Sequence, residues 1–359
     1  MNRGLRLFCA ALSVALTFAG IAAAPAKPHP APGGAGLYLH PQRLVDIGGR
    51  RLNLVCTGHG SPTVILEAGT LADASAWRRV QPAASRMTRV CSYDRAGMGF
   101  SDPTGAPRDA SAIVSDLHAL LTKAHIAGPY VLVGWSSGGL FTRLYTYRYP
   151  RNVVGLVEID PDTEFDTIGN YLKLVATMMH KPPRWGDEQI REWFAQYDNC
   201  AANVARGTCA FFPGIAAYMR AGGCAKVVGL ECELREVRAK HVSRRSFWKV
   251  AALEVRATLT DPGEIRAAAR PLGNMPLIVL TDSESGDVDA SDPTISVAAQ
   301  RAGWLAKDRA QARLAAMSSV GAHFVFAGTS DAIVLDRPSA VISAIAEVIA
   351  QVRSPRPRP

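Results

Sequence analysis

The stretch Tyr130-Val-Leu-Val-Gly134-Trp-Ser136-Ser-Gly138-Gly139 decides the fold of this 359-residue chain. A short apolar run leads directly into Gly-x-Ser-x-Gly, and a helical pattern of apolar residues follows. This order is typical of a nucleophile elbow, a strained turn between a strand and a helix that exposes a serine hydroxyl. Gly134 and Gly138 fit such a turn because neighbouring backbone segments approach too closely for a Cβ atom. Ser136 is therefore the predicted nucleophile.

Short apolar segments bounded by Gly, Pro or Asp predict further strands on both sides of the elbow. They cover residues 51–56, 63–67, 88–93, 153–159, 276–280 and 322–327. Residues 338–352 predict a final amphipathic helix, because apolar residues recur there at helical spacing.

Two more motifs follow predicted strands and strengthen the pattern. They are Gly69-Thr70 after the strand 63–67, and Asp94-Arg95-Ala-Gly97-Met-Gly99-Phe-Ser101 after the strand 88–93. Together with the elbow, they resemble the α/β-hydrolase superfamily, and most of all its exported bacterial esterase-like branch. The resemblance is strong over residues 44–160 and weaker from residue 276 onward. Asp94 and Arg95 are expected to support the floor of the site rather than to perform chemistry.

The resemblance implies an α/β-hydrolase fold, with a mostly parallel central sheet, helices on both faces and an inserted helical lid. The core is expected to comprise residues 38–160 and 271–352, and the lid residues 161–270. Trp185, Trp193 and Trp248 fall in this insertion. They are expected to form the core of the lid rather than a substrate cradle.

The N-terminus predicts export. Arg3 and Arg6 flank an apolar run from residue 7 to about residue 24, and small residues suited to cleavage follow. Residues 1–24 are therefore expected to be a signal peptide, 25–37 a Pro/Gly-rich linker and 353–359 a loose tail. The expected location is secreted or periplasmic. Because the run is long for a signal core, membrane association through an uncleaved N-terminal segment is the alternative.

The cysteines agree with export. Six remain after Cys9 of the signal segment is set aside, and an even number in an exported chain indicates disulfides rather than metal ligands. In the strand order of the α/β-hydrolase fold, the strand of Cys56 lies beside that of Cys91, so a bridge between them is expected. The three pairings of the other four stay open: Cys200, Cys209, Cys224 and Cys232.

Partners and cofactors can be narrowed by what the sequence contains. By the resemblance, the backbone N–H groups of Thr70 and Ser137 would form an oxyanion hole. No phosphate-binding glycine loop or metal-ligand spacing occurs, so no cofactor and no metal are expected. The formal charge of +9 is spread along the chain without a basic-aromatic motif, so no nucleic-acid partner is expected. The expected partner is a small-molecule acyl substrate.

The general base of the predicted site has more than one candidate. A serine hydroxyl needs a base, and the order serine, acid, histidine leaves His180, His241 and His323. His180 and His241 are expected to be ordinary lid residues, so His323 is the candidate. However, the family's usual ending has a histidine shortly before a Leu-Asp-Arg-Pro tail. Counting back from Leu335-Asp-Arg-Pro places Asp331 in that position.

Two interpretations of His323 follow. If residues 322–327 form a strand, His323 lies at its start, more than about 10 Å from the catalytic edge at about 3.3 Å per residue. If the strand instead ends near Gly321, an enlarged loop would bring His323 to the serine. An aspartate at position 331 is a weaker base than an imidazole at neutral pH, because an ordinary aspartate has a pKa of about 3.9.

The triad acid also has several candidates. Asp282 is favoured because it follows the strand 276–280, and Asp160 is second because it ends the strand 153–159. Glu284 is third, and Asp287 lies in the same acidic cluster.

The expected function is hydrolysis of an ester or related acyl bond through an acyl-Ser136 intermediate. A serine argues against haloalkane dehalogenase or epoxide hydrolase activity, which use a carboxylate nucleophile on this fold. The alternative is a catalytically impaired relative that binds a small apolar ligand or a protein partner.

Overall fold

A computed structural model describes residues 34–165, 167–182, 184–206, 209, 229–282 and 295–354. The predicted signal peptide, most of the linker, most of the tail, Cys224, Glu284 and Asp287 lie outside these residues. Within the described ranges, no helix combines the length and the apolar character that a membrane crossing requires.

One mixed sheet of eight strands carries the elbow near its centre. The strands are β1 Arg43–Asp46, β2 Arg51–Thr57, β3 Thr63–Glu67, β4 Val90–Tyr93, β5 Tyr130–Trp135, β6 Val153–Ile159, β7 Leu277–Asp282 and β8 Ala322–Phe326. Their order across the sheet is β1-β2-β4-β3-β5-β6-β7-β8. β2 runs antiparallel to β1 and β4, and every other neighbouring pair is parallel. The predicted strands are confirmed with boundary shifts of one or two residues, whereas β1 was not predicted.

Helices connect the strands and cover both faces. In the described residues they are α1 Gln81–Ala84, α2 Ala110–Lys123, α3 Gly138–Arg148, α4 Ile168–Met178, α5 Trp185–Asn203, α6 Leu230–Val242, α7 Arg245–Ala257, α8 Asp261–Ala268, α9 Val297–Ala315, α10 Ile333–Asp336 and α11 Pro338–Arg353. Short 3-10 helices occur at Ala35–Tyr38, Ala74–Arg79 and Val204–Arg206. The predicted final helix is confirmed as α11.

Two apolar layers sandwich the sheet. One layer joins α10 and α11 to residues such as Val133, Ile159 and Leu280. The other joins α2 and α3 to strand residues on the opposite face of the sheet, such as Leu132 and Val279. Strands that are apolar on both faces are typical of parallel sheets covered by helices. The α/β-hydrolase architecture predicted from the sequence is confirmed.

Residues 161–270, which the sequence predicts to be an insertion and which are called the insertion below, contribute α4 to α8 in their described part. Trp193 and Trp248 are almost fully buried in an apolar cluster that also contains Leu71 and Met98 of the core. These two tryptophans therefore hold the inserted helices together and onto the core, whereas Trp185 is partly buried against a different cluster.

The disulfide expected from the strand order is present. Cys56 and Cys91 are directly paired across β2 and β4 and are joined by a disulfide. A second disulfide joins Cys200 to Cys209, which selects one of the pairings left open by the sequence. Cys232 is disulfide-bonded as well.

Candidate active site

Ser136 occupies the predicted elbow at the carboxyl edge of the sheet. β5 ends at Trp135 and α3 begins at Gly138, and the backbone φ of Ser136 between them is +54°. A positive φ is uncommon for a residue with a side chain and costs conformational energy. Ser136 is half-buried, whereas the residues on either side of it are buried. The turn therefore presents this side chain to the surface.

The segment after β3 lies directly against the elbow. A Cβ atom on Gly138 would lie 2.5 Å from the carbonyl oxygen of Glu67, and one on Gly69 would lie 3.1 Å from Cβ of Ser136. Both distances are too short for a side chain to fit without movement of its neighbours. The glycines thus allow the loop 68–70, called the oxyanion loop below, to meet the start of α3.

The two residues predicted to supply oxyanion donors are brought together. Thr70 lies in the oxyanion loop, and Ser137 is the residue before α3. The hydroxyl of Thr70 donates a hydrogen bond of 2.9 Å to the hydroxyl of Ser137, and both residues are buried. This contact joins the two backbone segments, while the use of their N–H groups as oxyanion donors stays a prediction.

The favoured triad acids share a lysine that the sequence did not single out. Lys307 Nζ, on α9, lies 3.0 Å from Asp160 Oδ2 and 2.5 Å from Asp282 Oδ1. Gln311 Nε2 donates to the other oxygen of Asp160 at 3.0 Å. Asp160 follows β6 and stands beside Ser136, whose N–H donates to the carbonyl oxygen of Ile159. Lys307 therefore binds both acid positions with one ammonium group.

The charges of this cluster shift two pKa values. Burial, and then the negative charge of Asp160, raise the pKa of Asp282 to about 9. Burial alone would lower the pKa of Lys307, but the Asp160 and Asp282 carboxylates outweigh it and the net shift is upward. At neutral pH, Asp282 therefore holds a proton and Lys307 is a cation. In this state neither Asp282 nor Lys307 can act as a general base for Ser136.

His323 lies within β8, as the strand interpretation predicted. It pairs with Val279 of β7, and the strand continues to Phe326. Its Nε2 is 2.6 Å from Thr281 Oγ1 and 3.8 Å from Asp308 Oδ1. The alternative in which the strand ends near Gly321 is wrong. At about 3.3 Å per residue, the strand beyond His323 adds about 10 Å before the catalytic edge, so the structure does not bring His323 to Ser136.

The other histidine candidates also have different surroundings. His241, on α6, is buried with Nδ1 3.9 Å from Asp73 Oδ2, and its ring meets the Phe100 ring edge-on. His180 follows α4 and is exposed. Among the described residues, no side chain makes a hydrogen bond with the hydroxyl of Ser136. The predicted nucleophile is thus in place without a histidine partner in this part of the chain.

Asp331, at the position of the family's usual histidine, is tied to the elbow strand. It lies in the segment between β8 and α10, and only 7% of the residue is exposed. Trp135 Nε1, one residue before the nucleophile, donates a hydrogen bond of 2.8 Å to the carbonyl oxygen of Asp331. In the described ranges, no group of three or more His, Cys, Asp or Glu side chains is arranged to hold a metal ion.

Comparison with protein families agrees with this architecture. Residues 62–201 match a family model described as the alpha/beta hydrolase fold. A "2-hydroxy-6-oxo-2,4-heptadienoate hydrolase" of Pseudomonas putida is 34% identical over 119 residues, which are 32% of this chain and 42% of that protein. A "Probable transporter efuK" of Hormonema carpetanum is 35% identical over 130 residues, 34% of this chain and 19% of that protein. Matched segments cover 15–42% of the curated relatives' own lengths.

Solved structures share the fold across most of the chain. The epoxide hydrolase CorEH has a TM-score of 0.56 at 17% identity, with 87% of this chain and 98% of that one covered. A haloalkane dehalogenase DbeA variant from Bradyrhizobium elkanii has a TM-score of 0.54 at 18% identity, with coverage of 86% and 96%. At these identities the likeness shows the fold alone. Together with the family-model match over residues 62–201, it shows the α/β-hydrolase fold.

Proposed function

We propose that this protein hydrolyses an ester or related acyl bond through an acyl-Ser136 intermediate. The observation that carries the proposal is the φ of +54° at Ser136, which lies half-exposed between buried neighbours. Such strain costs free energy, and it persists at sites where it orients a reacting group.

The chemistry follows from the groups around the elbow. The Ser136 oxygen attacks the acyl carbon, its proton passes to a base, and the carbonyl oxygen becomes an oxyanion. The N–H groups of Thr70 and Ser137, with the N-terminus of α3, would stabilise that charge. The leaving group then takes the proton, and water hydrolyses the acyl-serine by the same route. The acid–base role falls to Asp331, which stands at the family's histidine position and is anchored to Trp135.

Residue type separates this proposal from the activities of the structural neighbours. The neighbours include an epoxide hydrolase and a haloalkane dehalogenase variant. Those reactions use a carboxylate nucleophile at the elbow, whereas this chain has Ser136. The serine therefore favours acyl transfer, in keeping with the resemblance to exported bacterial esterases. The disulfides of the described core and insertion are typical of exported proteins and support a secreted or periplasmic location.

A second candidate is a catalytically impaired relative that uses the site for binding. It is favoured by Lys307, which binds both acid positions where a triad would need an imidazole. It is also favoured by the position of His323 inside β8. In this case Ser136 would keep its half-buried position without becoming an efficient nucleophile.

Intact-mass spectrometry after mixing with an activated aryl acetate separates the two functions. Acyl transfer predicts a transient gain of one acetyl group, located on Ser136 and absent from folded Ser136→Ala. If wild-type protein with both disulfides formed gains no acetyl group over the course of several hours, the binding function replaces acyl transfer.

A further inference from the structure

Arg95 connects the insertion to the oxyanion loop. It follows β4 and is buried, and each of its five N–H groups donates a hydrogen bond to a nearby acceptor. Nη1 donates to Glu67 Oε1 at 2.9 Å and to the Ala68 carbonyl at 2.6 Å. Nη2 donates to the Gly69 carbonyl at 2.8 Å and to Glu254 Oε2 at 3.1 Å, and Nε donates to Glu254 Oε1 at 3.2 Å. The guanidinium therefore has a single orientation, fixed from both sides.

The bond to Gly69 matters because of the geometry of the peptide group. The Gly69 carbonyl and the Thr70 N–H belong to the same planar unit, and this bond is trans. The two groups of a trans peptide point in opposite directions. A hydrogen bond that fixes the carbonyl of Gly69 thus also fixes where the Thr70 N–H points, and this N–H is the proposed oxyanion donor.

Glu254 belongs to α7 of the insertion, not to the core. It supplies two of the five acceptors of Arg95, and it is itself buried, with 4% of the residue exposed. α7 approaches the segment after β4 closely, since a Cβ atom on Gly97 would lie 2.6 Å from Val250 Cγ2. Removal of the Glu254 carboxylate would take away the two hydrogen bonds that fix the guanidinium from the side of the insertion, and leave those to Glu67, Ala68 and Gly69.

The oxyanion loop is also held by the apolar cluster of the insertion. Leu71, directly after the loop, has a φ of +62° and is buried among residues that include Trp193 and Trp248. A leucine with positive φ is strained, so it persists only where its surroundings impose it. The conformation of Leu71 is therefore imposed by its surroundings, which include the insertion, while a turn hydrogen bond from the Ala72 N–H to the Gly69 carbonyl holds the loop locally.

We propose that Glu254 and Arg95 are positioning residues, through which docking of the inserted helices orients the Thr70 N–H for acyl transfer. The proposal rests on the function proposed above. It makes the insertion part of the catalytic geometry and not merely a cover for the site. Neither residue touches the reacting atoms; each acts through the peptide unit between Gly69 and Thr70.

Glu254→Gln is the direct test, with Glu264→Gln as the matched control. Glu264, on α8, likewise joins the insertion to an arginine and a serine of the core, Arg148 and Ser111, but it does not contact Arg95. With a fluorophosphonate probe, Glu254→Gln is expected to lower the trapping rate constant about tenfold at unchanged probe affinity, because oxyanion donors act in the transition state. Glu264→Gln is expected to match wild type.

Hydrogen exchange of the oxyanion loop provides a readout that does not need activity. Exchange at residues 68–70 is expected to be faster in Glu254→Gln and unchanged in Glu264→Gln. If Glu254→Gln does not fold, Glu254→Asp is used instead, because it keeps the charge but places it one methylene further from Arg95. It should show slower trapping and faster exchange at residues 68–70, each by a smaller factor. Unchanged exchange in the Glu254 variant, or equal acceleration in both variants, overturns the proposal. If wild type is never trapped by the probe, the hydrolase function fails, and exchange alone decides the positioning role.

Discussion

The indole N–H of Trp135 donates a hydrogen bond to the carbonyl oxygen of Asp331, at 2.8 Å. Trp135 is the last residue of β5, and its backbone leads directly into Ser136. The bond ties the segment after β8 to the strand that carries the nucleophile. In the α/β-hydrolase fold this segment is where a triad histidine would reach the serine, and the chain has an aspartate there.

Asp331→Asn is expected to lower the rate of serine acylation by tenfold or more, since an amide cannot accept the proton of Ser136. General bases typically contribute about 10²–10⁴-fold to such steps. Asp331→His is expected to accelerate acylation at pH 7–8, because an imidazole is a better matched base at that pH. Aryl-ester hydrolysis measures both changes. Equal rates for Asn, His and wild type would exclude a role for this position.

His323→Ala is expected to leave the acylation rate within about twofold of wild type. The ring contacts Thr281 and lies inside β8, and burial lowers its pKa, so it stays neutral at pH 7. Its loss removes a structural contact and no reacting group. A folded His323→Ala protein that has lost acylation would contradict this placement of the base.

Lys307→Met is expected to destabilise the fold at pH 7, because it leaves the paired carboxyl groups of Asp160 and Asp282 without a cation. The expected loss is about 2–4 kcal/mol, somewhat below that for a fully buried ion pair, since a quarter of the lysine side chain is exposed. Urea unfolding measures the loss. Lys173→Met, at an exposed lysine of α4, is the control and should change stability by less than about 0.5 kcal/mol. If both substitutions change the free energy of unfolding equally, Lys307 has no special structural role.

The pH dependence of stability tests the proton on Asp282. Its pKa is about 9 in the folded state and about 3.9 when unfolded, so the folded protein holds one more proton between these values. The stabilisation of the folded state by this proton is fully present below pH 4 and is lost as the pH rises toward 9. Asp282→Asn imitates the protonated form and does not lose this contribution. Its free energy of unfolding, relative to that of wild type, should therefore rise by up to about 1.4 kcal/mol for each pH unit between pH 4 and 9. Parallel stability curves for the two proteins between pH 5 and 8 would show that Asp282 is ionised throughout.

The sequence was sufficient for the elements whose signal is local. Strands β2 to β8, the elbow at Ser136 and the Cys56–Cys91 bridge follow from apolar runs, turn residues and the strand order of a familiar fold, whereas β1 was missed. The edge strand β8 was also predicted, because residues 322–327 form a short apolar segment.

Lys307 could not be predicted in the same way. It reaches Asp160 across 147 residues of chain, from a helix whose polar pattern gives no signal for this contact. The same holds for Glu254, which meets Arg95 from 159 residues away. Buried ion pairs between distant elements depend on how the helices dock, which no local pattern encodes.

The most direct test of the central claim, that Ser136 is an activated nucleophile, is labelling of the oxidised protein with a fluorophosphonate probe. Wild type, Ser136→Ala and Asp331→Asn would be compared at equal concentration, with circular dichroism to verify that each is folded. The account predicts one adduct on Ser136 of wild type, none on Ser136→Ala and slower labelling of Asp331→Asn. A folded wild-type protein that acquires no adduct would contradict it and leave a binding role for the site.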